Sequence, residues 1–157
     1  MERVNKMDLI IKELTTENVE MIKNFYADVF TNEPWNDDWS DEEQLHKYII
    51  DLSGNANSLT LALFLDSEMV GLCMGHIRHW FVGTEYHIDE FCISRNHQGV
   101  GLGTKFLKAI EQELADRDIK QMFLLTERSV PAYTFYKKND FIELTDHVSF
   151  LKKLNKL

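Results

Sequence analysis

The sequence has little of what marks secreted, metal-stabilised or membrane proteins. It contains two cysteines and two prolines among 157 residues. Cys73 and Cys92 form no CxxC pair, so the sequence indicates neither a disulfide framework nor a structural zinc site. No window approaches about eighteen consecutive apolar residues, and the first residues lack an apolar run of signal length. We therefore expect a cytoplasmic protein that is not exported and does not enter membranes.

Positive charge is also scarce. The 17 Lys and Arg residues are outnumbered by 26 Asp and Glu residues, which leaves a net charge of −9. This balance repels phosphate groups, so we expect neither nucleic acid nor an anionic membrane as a partner, and a cationic partner fits better. His76 and His79 do not form a ligand pair, because an odd separation along a strand turns them to opposite faces. We expect no metal.

The pattern of apolar residues predicts one α+β domain over residues 1–157. At 44% hydrophobic, the chain can bury a core, and no repeat or Gly/Pro/Ser linker divides it. Alternation and turn signals predict about seven strands, at 8–14, 58–65, 69–80, 85–94, 119–126, 141–144 and 148–151. Helical spacing and capping residues predict flanking helices at about 19–30, 41–52, 102–114 and 131–138.

A glycine-rich run lies between the strand that ends near Ser94 and the helix that begins near Gly101. Glycines let the backbone approach a ligand, and the free N–H groups of a helix N-terminus attract phosphate. The spacing matches neither the dinucleotide fingerprint nor the P-loop. Taken alone, the run predicts an anion site, with a tight turn needed only for packing as the alternative. Its residues are Gln98, Gly99, Val100, Gly101, Leu102 and Gly103.

The surroundings of this run resemble the GNAT family of acetyl-CoA-dependent N-acyltransferases. Its members carry Arg or Gln, two residues, Gly, one residue, and then Gly or Ala. Gln98, Gly101 and Gly103 occupy those places, Gly99 matches a common extra glycine, and Ile93 stands where the preceding strand carries a branched apolar residue.

A second stretch, residues 132–141, resembles the family's Ala, three residues, Tyr, three residues, Gly-Phe signature. Tyr136 stands at the tyrosine position. Ser129 replaces an Asn that often contacts the pantetheine arm, and Asp140 replaces the glycine, although Asp tolerates left-handed backbone geometry. The resemblance covers almost the whole chain, including its predicted order of elements.

The resemblance implies a GNAT fold, with a mixed and mostly antiparallel sheet between layers of helices, and acetyl-CoA as the acyl donor. It implies direct attack of an amine on the thioester, with Tyr136 protonating the departing thiolate and strand N–H groups stabilising the oxyanion. The residues that it assigns to cofactor binding are Phe91, Cys92, Ile93, Gln98, Gly99, Val100, Gly101, Leu102, Gly103, Thr104, Ser129, Ala132 and Phe135.

Glu90 is the candidate base, acting directly or through water. Period-two alternation places Glu90 on one face with Tyr86, Ile88 and Cys92 and no other charge, where desolvation should raise its pKa. By the same alternation, Asp89 and His87 lie on the opposite face and are lesser candidates. A paired carboxylate, or one turned to solvent by a bulge, is an equally plausible interpretation.

An acidic, tryptophan-containing segment, residues 33–43, is the candidate acceptor site. Glu33, Trp35 and Asp38 could bind a cationic amine by ion pairing and cation–π attraction. Helix-dipole complementarity and core packing of Trp35 are the structural alternatives. Aminoglycosides, polyamines and basic peptides or protein N-termini all remain open as acceptors. The alternative function is a non-catalytic acyl-CoA-binding sensor, and a homodimer would use the stretch 148–151, as family members often do.

Overall fold

A computed structural model of the chain describes residues 8–154, which contain one five-stranded sheet. The strands run in sequence order across the sheet. The first four are antiparallel neighbours and the fifth pairs in parallel with the fourth, so the sheet is mixed. The strands are β1 (Leu9–Leu14), β2 (Ser58–Leu65), β3 (Glu68–Trp80), β4 (Gly83–Ile93) and β5 (Gln121–Leu124).

Four α-helices lie where the sequence predicts them. Local caps precede the first two: Thr15 forms a capping box with Asn18 at the 3-10 turn before the first helix, and the Asp41 carboxylate accepts a hydrogen bond of 3.0 Å from the Gln44 N–H at the second. The helices are α1 (Val19–Phe30), α2 (Glu42–Ser53), α3 (Leu102–Asp116) and α4 (Pro131–Lys138), with short 3-10 turns at Thr16–Asn18 and Arg95–His97.

The described residues divide into two compact units, 8–125 and 126–154. The first holds the sheet and the helices α1 to α3. One face of its sheet packs against α1 and α2, where Leu72, Met74 and Cys92 join an apolar cluster with Ile22 and Ile49. α3 covers the other face, with Phe106 so close to Gly71 that a methyl group there would lie 2.9 Å from its ring.

A β-bulge in β4 breaks the alternation between these two faces. Met74 is paired with Glu90, but the next residue of β3, Gly75, is paired with Ile88, so that Asp89 is the extra residue. The two strands are close at this point, because a methyl group on Gly75 would lie 2.1 Å from the carbonyl oxygen of His87. Glycine is therefore required opposite the bulge.

The second unit contains α4 and, as far as residue 154, no strand after it. α4 ends in a left-handed turn at Asp140, with φ of 64°, and the Phe141 N–H donates to the Tyr136 carbonyl at 3.1 Å. The strands predicted at 141–144 and 148–151 are wrong, and the described sheet has five strands rather than about seven. Alternation alone does not make a strand without a neighbour to complete the hydrogen bonds, and residues 148–151 are exposed.

Within residues 8–154, no helix is both long and apolar enough to cross a membrane.

Candidate functional site

The glycine run forms an open loop that leads into α3. Gly99 and Gly101 have φ of 75° and 81°, in the left-handed region that favours glycine. A methyl group added to either would meet no atom of residues 8–154 within 4 Å, so this part of the chain leaves space beside the backbone of the loop. α3 begins at Gly101 without a side-chain cap, which leaves the first N–H groups of the helix available to a ligand. These residues fit the diphosphate of acetyl-CoA.

Some of the other residues of the loop hold it to the rest of the fold, and others are exposed. The Gln98 amide donates a 3.0 Å hydrogen bond to the carbonyl of Ile93, which ties the loop to the end of β4. Leu102 is buried in the core, whereas Val100 is exposed and Thr104 is half-buried. The backbone of this loop, rather than its larger side chains, is therefore what it can offer an anion.

The ladder between β4 and β5 ends before the glycine loop. The pairing of β4 with β5 ends at Ile88 and Leu124, although β3 continues to pair with β4 as far as Ile93. Among the described residues, no strand pairs with residues 89–93 on the β5 side. This stretch contains Phe91, Cys92 and Ile93, to which the family resemblance assigns the pantetheine arm.

The two cysteines belong to the core. Burial raises the pKa of the Cys73 thiol to about 12 and that of Cys92 well above its ordinary value. The Cys73 Sγ lies 3.6 Å from the Tyr86 hydroxyl, which itself donates to the Leu59 carbonyl at 2.7 Å. Neither sulfur is a thiolate nucleophile, so Cys92 would contribute its backbone only.

Glu90 is held by two tyrosines that come from different helices. Its Oε1 accepts hydrogen bonds from the hydroxyls of Tyr48 at 2.5 Å and Tyr26 at 3.3 Å. Desolvation raises the pKa of Glu90, as the sequence predicts, and the two hydrogen bonds oppose that effect in part. Burial raises the pKa of both phenols as well, so they remain donors. The two hydroxyl groups thus fix the carboxylate through Oε1.

The bulge changes which side chains share a face with Glu90. Cys92 does so, as predicted, but Tyr86 and Ile88 lie on the opposite face, because the extra residue Asp89 reverses the alternation. His87 lies on the Glu90 face, opposite His76. The prediction that Glu90 is the one charge on its face, and that Asp89 and His87 lie across the sheet, is therefore wrong.

A row of paired acids and histidines continues from Glu90 along this face. Asp89 Oδ2 lies 3.0 Å from His76 Nδ1, and Glu85 Oε1 lies 2.5 Å from His87 Nε2. The two imidazole rings face each other with centroids 5.0 Å apart. Hydrogen bonds to His87 and Gln121 hold the pKa of Glu85 below its ordinary value.

The two tryptophans of the acidic segment pack against neighbouring aromatic rings. Trp35 lies against Phe30, with ring centroids 5.6 Å apart, at the edge of the core. Trp39 stacks on Tyr48 at 5.1 Å and meets Tyr26 edge-on at 5.6 Å. Its buried indole Nε1 has no partner within the described part of the chain. Trp39 therefore packs against both tyrosines that bond Glu90.

The two acids that the sequence singles out in this segment, Glu33 and Asp38, are both exposed. Hydrogen bonds from Ser40, first from its side chain and then from its backbone N–H at 3.1 Å, lower the pKa of Asp38.

The second unit carries the remaining predicted residues. The Tyr136 ring lies edge-on to Phe135 and Phe141, with centroids 5.3 Å and 5.1 Å away. Ser129 is exposed and Ala132 half-buried in the first turn of α4. The roles of these residues rest on their places in the sequence signature.

Tyr26 and Tyr48, which bond Glu90, were not predicted as site residues, and Trp39, which packs on both, was included only as part of the segment 33–43. A signal did exist: Tyr26 lies on the apolar stripe of α1 and Tyr48 at the edge of that of α2, and a buried phenol needs a hydrogen-bond partner. The partner itself could not be read from the sequence, because Glu90 lies 64 and 42 residues away.

Comparison with known proteins identifies the class. Residues 19–141 match the family model described as the acetyltransferase (GNAT) family. The chain therefore belongs to the GNAT acetyltransferase family. It is accordingly an N-acetyltransferase, with acetyl-CoA as its acyl donor. Among curated proteins, the search found no match.

Solved structures share this fold at low sequence identity. A possible acetyltransferase from Clostridium difficile 630 is 16% identical with a TM-score of 0.77, over 94% of this chain and 99% of that one. An aminoglycoside acetyltransferase from an uncultured soil metagenomic sample, in complex with sisomicin, is 20% identical with a TM-score of 0.71, over 94% and 97%. The aminoglycoside N-acetyltransferase AAC(6')-Iy in complex with CoA is 12% identical with a TM-score of 0.73, over 98% and 100%.

Proposed function

We propose that this protein acetylates a primary amine of a cationic small molecule by direct attack on acetyl-CoA in a ternary complex. The observation that carries the proposal is the position of Glu90. It is a half-buried carboxylate held by the hydroxyls of Tyr26 and Tyr48, whose rings pack against Trp39, and it lies on β4 just before residues 91–93. An ammonium group is the ligand that a carboxylate among aromatic rings attracts best.

The donor side is built by the backbone of the first unit. The N–H groups at the start of α3 and the loop at Gly99 and Gly101 would bind the diphosphate, while the edge at residues 91–93 would bind the pantetheine arm. Bound acetyl-CoA supplies an activated thioester carbonyl. Preorganised N–H groups on that edge would stabilise the negative charge that develops on its oxygen.

The acceptor side must remove a proton, because an ammonium ion cannot attack a carbonyl. Glu90 would bind the ammonium group and accept this proton, directly or through a water molecule. Desolvation supports this role, because the raised pKa of Glu90 brings it closer to that of a base working near neutral pH. Tyr26 and Tyr48 would keep its carboxylate in position.

Tyr136 would give a proton to the departing thiolate. This assignment rests on its place in the signature at residues 132–141. A phenol suits the role because it remains protonated at neutral pH. When it is placed beside the sulfur, it can donate that proton directly.

Aminoglycosides are the acceptor class that we propose to test first. They are polycationic, which fits a chain with a net charge of −9, and two of the structures that share the fold are described as aminoglycoside acetyltransferases. Glu33 and Asp38, both exposed on the segment that leads to Trp39, could bind additional ammonium groups.

The direct test is acetyl-CoA turnover, read by thiol release, with sisomicin, spermidine and a lysine-containing peptide as acceptors. We expect turnover of the polycationic small molecules in preference to the peptide. Tyr136→Phe should lower kcat by on the order of 100-fold and leave acetyl-CoA affinity unchanged.

Two results would contradict this proposal. Thermal stabilisation by acetyl-CoA without turnover of any amine would favour the acyl-CoA-binding sensor. Full activity of Tyr136→Phe would remove the proposed acid.

A further inference from the structure

The histidine and carboxylate row beside Glu90 contains a group suited to carry protons. Asp89 Oδ2 lies 3.0 Å from the Nδ1 of His76. A carboxylate accepts hydrogen bonds, so this contact selects the imidazole tautomer with its proton on Nδ1 and leaves Nε2 as a proton acceptor. Asp89 can make this contact because the bulge turns it to the Glu90 face.

His76 also lies close to Glu90. Glu90 is paired with Met74, and His76 is two residues further along β3 on the same face. Such diagonal neighbours across strands are about 7–8 Å apart, a separation that one or two water molecules can bridge.

Exposure distinguishes the two histidines of this row. The side chains of His76 and Asp89 are 36% and 32% exposed, whereas those of His87 and Glu85 are 14% and 8% exposed. His87 also uses its Nε2 on Glu85 and packs on Phe123 at 4.7 Å. His76 can therefore exchange a proton with solvent. His87 is less exposed, and its ring packs against the ring of His76.

We propose that His76 is the proton relay between Glu90 and bulk water, and that Asp89 positions it. This inference rests on the proposed function. The acceptor ammonium loses a proton to the Glu90 carboxylate. The proton then passes through water to Nε2 of His76, which becomes an imidazolium stabilised by Asp89, and is finally released to solvent. Glu90 is restored as an anion for the next turnover.

The charges around His76 suit this transfer. On β4 it faces Asp89, His87 and, diagonally, Glu90, with Glu85 behind His87. On its own strand, Arg78 is two residues away, and the β2 residue opposite it is Ser58, which is uncharged. From α2, the uncharged Tyr48 hydroxyl donates a hydrogen bond to Glu90. Of these charged groups, Asp89 is the one in hydrogen-bond contact with His76.

The test is chemical rescue in weak buffer near pH 7, with sisomicin as acceptor. His76→Ala should lower kcat by on the order of 10-fold to 100-fold, and added imidazole should restore much of the loss, because a free base can replace the relay. His76→Gln should be equally slow. His79→Ala is the matched control, since His79 lies on the same strand and is bonded to Thr84 at 3.0 Å, and its kcat should not change.

The positioning role of Asp89 has a separate readout. In nitrogen-15 NMR of the unliganded protein, His76 should carry its proton on Nδ1, and Asp89→Asn should shift the population toward the other tautomer. If neutral His76 in the unaltered protein carries its proton on Nε2 instead of Nδ1, the proposal is overturned.

The kinetic outcomes separate this inference from the proposed function. Undiminished kcat in His76→Ala, or a loss that imidazole does not restore while acetyl-CoA still binds, overturns the relay and leaves the acetyltransferase proposal standing. Absence of turnover of every amine by the unaltered protein overturns both.

Discussion

At the scale of single residues, Glu90 is subject to two opposing effects. Burial favours its neutral form, and the hydroxyl groups of Tyr48 and Tyr26 favour the carboxylate, with burial the larger effect on its pKa. A folded-state pKa above the unfolded one means that the unfolded chain ionises first as the pH rises. The contribution of Glu90 to stability is therefore fully present at acidic pH and is lost as the pH rises through its folded pKa.

This sign gives a prediction for Glu90→Gln. Glutamine keeps an oxygen that can accept from both tyrosines but does not ionise. Urea unfolding between about pH 4 and pH 8, without acetyl-CoA, should show the variant gaining stability relative to the unaltered protein as the pH rises. Glu68→Gln, at an exposed position, should show no such trend. A constant difference across the pH range would contradict a raised pKa for Glu90.

The same residue shows how far sequence reasoning reached. Glu90 could be singled out because it lies in an apolar strand, and burial and a raised pKa follow from that. Its neighbours could not be derived, because one extra residue, Asp89, exchanges the faces of all the residues before it in β4. Gly75 was the available signal, since a glycine inside an apolar strand often marks a bulge.

At the scale of elements, prediction succeeded where a local cause exists. Thr15 and Asp41 cap their helices by contacts within three residues, and the strands of the meander are bounded by turns. The stretches 141–144 and 148–151 have the alternation of strands, but pairing depends on a neighbour that the pattern does not specify. Local causes are readable from sequence, and partners are not.

The loop before α3 gives a prediction at this scale. Gly101→Ala should reduce stability by about 1–2 kcal/mol through its left-handed backbone and should raise the KM for acetyl-CoA at least about 10-fold, because the methyl group enters the proposed diphosphate site. Asp118→Ala is the control for strain, since Asp118 has φ of 59° away from the loop. It should lose stability with an unchanged KM. Equal KM values in the two variants would argue against phosphate binding at Gly101.

At the scale of the whole molecule, the two substrates meet opposite electrostatic conditions. The net charge of −9 attracts a polycationic acceptor over distances comparable to the Debye length and repels acetyl-CoA, which is an anion. Acetyl-CoA must therefore be bound by local donors, such as the N–H groups at the start of α3, against the overall field. The cationic acceptor, in contrast, is attracted by the negative charge of the protein before it makes any contact.

Salt should therefore separate the two substrates. Between roughly 0.02 M and 0.5 M salt, kcat/KM for sisomicin should fall several-fold because screening removes the attraction, and kcat/KM for butylamine, with one charge, should fall less. The KM for acetyl-CoA should stay constant or decrease over the same range, since its repulsion is screened as well. Stopped assays at saturating co-substrate measure each value. An equal fall for both amines would show that the overall charge of the chain does not select its acceptor, and recognition would then lie in the contacts around Glu90 alone.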